Sequence, residues 1–144
     1  MKWLILLHVL GATIWVGGHL ILSITFLPKA LREKDVMIIK NFEQHFERVG
    51  LPALAIQVIT GCWMALLYVP FSDWLSLATT HHRLLWMKLS LLTATIALAV
   101  HVRFFIFPKV ENENLSSLVF HIVLVTVLAV TFVVVGLSFR FNFI

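Results

Sequence analysis

The chain has 144 residues, 60% of them hydrophobic and 12% charged, with a mean hydropathy of +0.98. A soluble domain is about half apolar and about a quarter charged, so the composition excludes one, and the scarcity of charge excludes disorder. The formal charge of +4 comes from Lys and Arg set around long apolar runs, the pattern of membrane flanks and not of a nucleic-acid surface.

A helix needs ~20 apolar residues to cross a ~30 Å hydrocarbon layer, and four such segments follow one another with short connections. The first runs from Trp3 to Leu27, 25 residues without Asp, Glu, Lys or Arg. Lys2 before an apolar run imitates a signal peptide, but the run is long and holds two histidines, which fits a span better than a cleaved leader. Pro28 is expected to end this helix.

The connection over residues 29–48 carries both signs of charge. Within it VMIIKNFEQHFERVG has apolar residues at helical spacing, which predicts an amphipathic extension running into the second span, 49–69, bent at Pro52 and closed by Pro70. The third span, 84–107, is apolar except for Lys88, His101 and Arg103, with Pro108 as its stop. The fourth, 115–139, is uncharged, with Asn114 and the two serines after Leu115 as its cap. Spans of this length in a lone chain are helices, not barrel strands. The expected fold is therefore all-α: one polytopic domain, four transmembrane helices in an antiparallel bundle.

Lys29, Arg32, Lys34, Lys40, Arg48, Arg103 and Lys109 lie on the side of the first and third loops; Lys2, Arg83, Lys88 and Arg140 lie on the other. Positive charge favours the cytoplasm, so both termini are expected outside, in an inner membrane of bacterial type. A single cysteine, Cys62, forms no internal disulfide and says nothing of redox compartment.

Of seven histidines, His8, His19, His101 and His121 fall within spans. Ionisable residues in hydrocarbon are costly and face the bundle interior, which makes each a candidate site against the plainer reading of a hydrogen-bonded packing residue. His8 and His19 are eleven apart, so they share a face of the first span about 16 Å apart along its axis. Ala12 and Trp15 complete this stripe, and Gly11 and Gly18 flank it. On the third span Ser90, Ala94, Ala97 and His101 form a stripe of small residues leading to a histidine, as if a flat group lay between spans one and three. His19, His101 and His121 all lie roughly 9–12 Å below the cytoplasmic surface. Three histidines on three helices at one depth suit the axial ligation of a b-type haem, one or two per chain, or three imidazoles around copper or zinc.

The outer layer holds His8, Cys62, Met64, Met87, His81 and His82, a donor set suited to a second haem or to Cu(I); methionine and cysteine are also ordinary filling for a bundle. Lys88 either snorkels outward or anchors a propionate or acidic substrate. Gln57, Gly61, Met64 and Tyr68 form a mildly polar stripe on span two. Glu43, His45, Glu47 and Arg48 sit where span two enters the membrane, as a solvated helix end or as an access point for protons or quinone.

HVLGATIWVGGHL, FERVGLPALAIQVITG, WMKL and HIVLVTVLAVTFVVVGLSF resemble the short CopD-like membrane proteins, the copper resistance protein D domain, along nearly the whole chain. That resemblance implies copper handling across the inner membrane. A more distant similarity is to the HemJ-type protoporphyrinogen oxidases, four-helix proteins that bind haem b. It maps onto His8, Trp15 and Gly18 in span one and onto Lys88 and His101 in span three. His19 and His121 are additional to that pattern, and Lys88 and His101 stand further apart than it has them.

Two main functions follow. One is a haem b redox protein passing electrons from a quinol or porphyrinogen-like donor to an acceptor, with the cofactor held by His8, His19, His101 and His121. The alternative is a copper transport or resistance protein that captures Cu through Cys62, Met64, Met87 and His8, with the inner histidines, and His45 more weakly, as further ligands. A homo-oligomer would extend the ligand ladder. A third reading is an accessory subunit without chemistry of its own.

Overall fold

The computed structural model describes residues 1–70, 73–74, 79–109 and 115–141. Asn114 and the Arg140 side chain lie outside what is described. The elements are α1 (Lys2–Ile21), a π-helical turn (Leu22–Phe26), α2 (Leu27–Glu33), α3 (Met37–Tyr68), α4 (Thr80–His101), a second π-helical turn (Val102–Ile106) and α5 (Ser116–Phe141). There is no strand among the described residues. Four helical segments are long and apolar enough to cross a membrane: Lys2–Glu33, Met37–Tyr68, Thr80–Ile106 and Ser116–Ser138. The protein is an all-α, four-helix membrane protein.

Pro28 does not end the first span. The helix passes through it to Glu33, because the turn just before it is widened. A proline ring clashes with the carbonyl four residues back and supplies no N–H. Here the Leu27 N–H reaches back to the Leu22 carbonyl, five residues away, which loosens the turn where Pro28 has to fit. The same device precedes Pro108, where the Phe107 N–H bonds the Val102 carbonyl at 2.9 Å. There the chain does leave the helix. Pro52 lies inside α3, which is continuous for 32 residues, so the amphipathic segment and the second span are one helix.

Lys34 reverses the chain in a left-handed conformation, φ 52°, and the Asp35 N–H bonds the Ala30 carbonyl at 3.1 Å, closing α2. The Asp35 carboxylate then accepts the Met37 N–H at 2.8 Å and starts α3. Around this end lies the best-packed core: Leu22, Leu27, Ala30, Val36, Ile39, Leu115, Leu118 and Ile122, with Phe26 and Phe42 against it. Both π-helical turns and the first turns of α3 and α5 meet here.

α1 packs most extensively on α3, α4 on α5, and α1 on α5. α3 and α4 make little backbone contact, and on that side the Glu47 carboxylate meets the Arg103 guanidinium at 2.8 Å. Gly11 lets α3 come close to α1, for a Cβ there would meet the Ala53 carbonyl oxygen at 2.8 Å. The partner of span one across its histidine face is thus span two. The flat space expected between spans one and three is absent, because α4 buries Leu84, Leu85 and Thr95 and turns Ser90, Ala97 and His101 to the exposed side.

Candidate functional site

Two of the four intramembrane histidines, His19 and His121, share one local feature. An imidazole in a helix reaches the carbonyl one turn back with Nδ1, and a carbonyl only accepts, so the hydrogen sits on Nδ1 and Nε2 keeps its lone pair. His19 donates in this way to the Trp15 carbonyl at 2.8 Å and His121 to the Ser117 carbonyl at 2.6 Å. His45, at the membrane edge, donates to the Asn41 carbonyl at 2.7 Å. His8 donates across the α1–α3 contact to the Gln57 carbonyl at 3.0 Å, with the Thr60 hydroxyl at 3.1 Å. A metal-binding imidazole is held in this manner, its second nitrogen fixed by a carbonyl.

The structure brings two of the three inner histidines together. His101 Nδ1 lies 3.0 Å from His121 Nε2, and their rings stack with centroids 5.0 Å apart. Since His121 Nδ1 carries a hydrogen for Ser117, its Nε2 is the acceptor and His101 Nδ1 the donor. Phe105 stacks on the His101 ring at 5.5 Å. The pair bridges α4 and α5, with His101 exposed and His121 half-buried.

His19 is elsewhere. It is 6% exposed, with the Trp15 ring at 4.5 Å and the Phe46 ring edge-on at 5.7 Å. Phe46 lies against Gly18 and Gly50, and a Cβ at Gly18 would overlap its ring. Equal depth does not bring His19 to the pair, because α1 turns this face to α3. Among the described residues no group of three or more His, Cys, Asp or Glu could hold a metal ion, so the triple-imidazole arrangement is not formed within one chain.

Lys88 turns inward and does not snorkel. A Cβ at Gly136 would lie 3.3 Å from its Nζ, which sets Lys88 of α4 against α5, while His8 of α1 meets Thr60 of α3. Gln57 Oε1 is buried there without a hydrogen-bond partner, and a Cβ at Gly61 would meet the His8 ring at 3.0 Å.

The sulfur ligands are dispersed. Cys62 is exposed, Met87 is 42% exposed, and Met64 is half-buried. His81 is exposed, and the His82 N–H is held by the Thr79 hydroxyl at the start of α4. Of the polar stripe on span two, Gln57 and Gly61 face α1, whereas Tyr68 is 56% exposed. Sequence reasoning did not find the ion pair of Glu47 with Arg103; the sole signal was that both fall on the side of the first and third loops.

The chain matches the family CopD, copper resistance protein D, over residues 40–139. No curated protein and no solved structure matches it.

Proposed function

Because the chain belongs to the copper resistance protein D family, we propose that it handles copper as cargo within the bilayer, with His101 and His121 as the capture pair. The observation that carries this is the 3.0 Å approach of their nitrogens. Imidazole suits copper, and His121 is already oriented by a backbone carbonyl, as a ligand is. Two nitrogens on one metal at about 2.0 Å each stand about 3.3 Å apart at a tetrahedral angle, so the rings need open only slightly to admit an ion. His8 serves as a second station in the opposite layer. His19, walled by Trp15 and Phe46, serves the packing of α1 on α3. We place the protein in the inner membrane with both termini outside, on the charge asymmetry of its loops.

The test is metal analysis of detergent-purified protein after exposure to ascorbate-reduced copper. Bound copper that falls at least tenfold in His121→Ala supports the assignment; undiminished copper in that variant overturns it.

A haem b reading rests on His8 alone, whose Nδ1 is engaged by the Gln57 carbonyl, so that Nε2 would be available to hold the group. The group would supply electron transfer there, from quinol or a porphyrin donor. His101 and His121 do not fit as its two axial ligands, since nitrogens on opposite faces of a macrocycle stand about 4 Å apart with the ring between them. A dithionite-reduced spectrum decides: sharp α and β bands that vanish in His8→Ala would establish it, and a colourless protein would remove it.

A further inference from the structure

The His101–His121 pair faces out of the bundle. On α4 the residues at the same helical position as His101, one, two and three turns earlier, are Ala97, Ala94 and Ser90, and none of the four is buried. Val100, Phe104 and Phe105, close to His101 on the α4 side, are exposed as well. Lipid satisfies those side chains. It does not satisfy two imidazoles roughly 9–12 Å below the surface, where an unpaired nitrogen has no water to bond. His101 Nδ1 and both nitrogens of His121 have partners, and among the described residues His101 Nε2 has none.

The pair is also half of a coordination shell. Its 3.0 Å spacing approaches the about 3.3 Å of two ligands on a tetrahedral ion and falls well short of the about 4 Å of a linear two-coordinate one. Tetrahedral coordination needs four donors, and the described residues of one chain bring these two together without a third. A two-fold axis beside the pair supplies the other two without any other protein, because a two-fold interface sets each residue near the axis opposite its own copy.

Resting on the copper reading above, we infer that two copies of this chain pack through α4 and α5 and hold one copper ion between them with four imidazoles, His101 and His121 from each. The small stripe Ser90, Ala94 and Ala97 lets the two α4 backbones approach. The uncovered surface from Trp86 to Phe105 is about 30 Å long, and α4 beside α5 makes it about 20 Å wide. That gives about 600 Å² per copy, within the about 600–1,000 Å² per partner of stable interfaces. When the ion enters, the hydrogen bond between the two rings breaks. His121 keeps its Nδ1 hydrogen on Ser117 and binds through Nε2. His101 moves its hydrogen from Nδ1 to Nε2 and binds through the freed Nδ1, so no proton is released and the site gains the charge of the ion.

The experiment combines cross-linking with copper stoichiometry on the full chain. In a Cys62→Ser background, Ala97→Cys should give a dimer with a bifunctional maleimide in membranes, and Ile59→Cys, on the exposed face of α3, should not. Ascorbate-reduced copper should saturate at one ion per two chains. Ala97→Leu leaves all imidazoles in place but separates the helices, and should lower copper affinity at least tenfold. His101→Asn, which preserves size and polarity, should do the same. Absence of the Ala97→Cys dimer, or full copper binding in Ala97→Leu, would overturn the inference. One copper per chain on a monomer overturns it while leaving the copper-handling reading intact; no copper in any form overturns both.

Discussion

His19 and His121 enter the membrane to similar depth from the same side, and both donate Nδ1 to the carbonyl one turn back. Their surroundings are opposite. His19 is 6% exposed between Trp15 and Phe46, whereas His121 opens with His101 onto the surface of the bundle. Depth along a helix is therefore no guide to which imidazoles meet. What decides is the direction each helix turns to its neighbour, and α1 spends its histidine face on α3 while α5 offers His121 to α4. One histidine became a packing element and the other remains accessible to an ion.

The strongest way to break this contrast is at the wall around His19. Gly18→Val puts carbons where the Phe46 ring lies, and should destabilise the bundle by about 3 kcal/mol, measured by thermal unfolding in detergent. Phe46→Leu in the same chain should recover part of the loss. His19→Ala removes a buried ring and its hydrogen bond, an expected loss of about 2 kcal/mol, and should leave copper affinity unchanged. His121→Ala should show the reverse: copper affinity falls at least tenfold, equivalent to about 1.4 kcal/mol, while loss of a half-buried ring with two hydrogen bonds costs about 1 kcal/mol of stability, less than at His19. If His19→Ala loses copper and His121→Ala loses more stability than His19→Ala, the contrast is inverted and the assignment of roles fails.

The smallest effect concerns the side where α3 and α4 stand apart. Glu47 and Arg103 are bonded at 2.8 Å but are 32% and 56% exposed, so screening limits the pair to about 0.2–1 kcal/mol. Glu47→Gln should cost about that much at low salt and nothing measurable at high salt. A larger, salt-independent loss would mean that this single contact holds the open side together.

Much of the architecture was legible before the structure. Long uncharged runs mark the spans because hydrocarbon accepts no unpaired polar backbone and few charges. The stops were less secure. Pro70 and Pro108 end their helices, but Pro28 does not, since the π-helical turn at Leu22–Phe26 relieves the ring clash that makes proline a breaker. A widened turn of this kind has no pattern in the residues themselves. Gly11 and Gly18 announced a close approach to span one, and the structure shows what approaches: the Ala53 carbonyl and the Phe46 ring.

The sequence by itself determined that this chain lives in a membrane as four helices and that histidines sit inside it. These depend on composition. The tertiary structure alone decided that His101 meets His121, that Lys88 lies against Gly136, and that Ser90 and Ala97 look outward. In a bilayer every face of an apolar helix is acceptable to lipid, so hydrophobicity does not fix the rotation of a span about its axis. Close packing at a few small residues and a few polar contacts does.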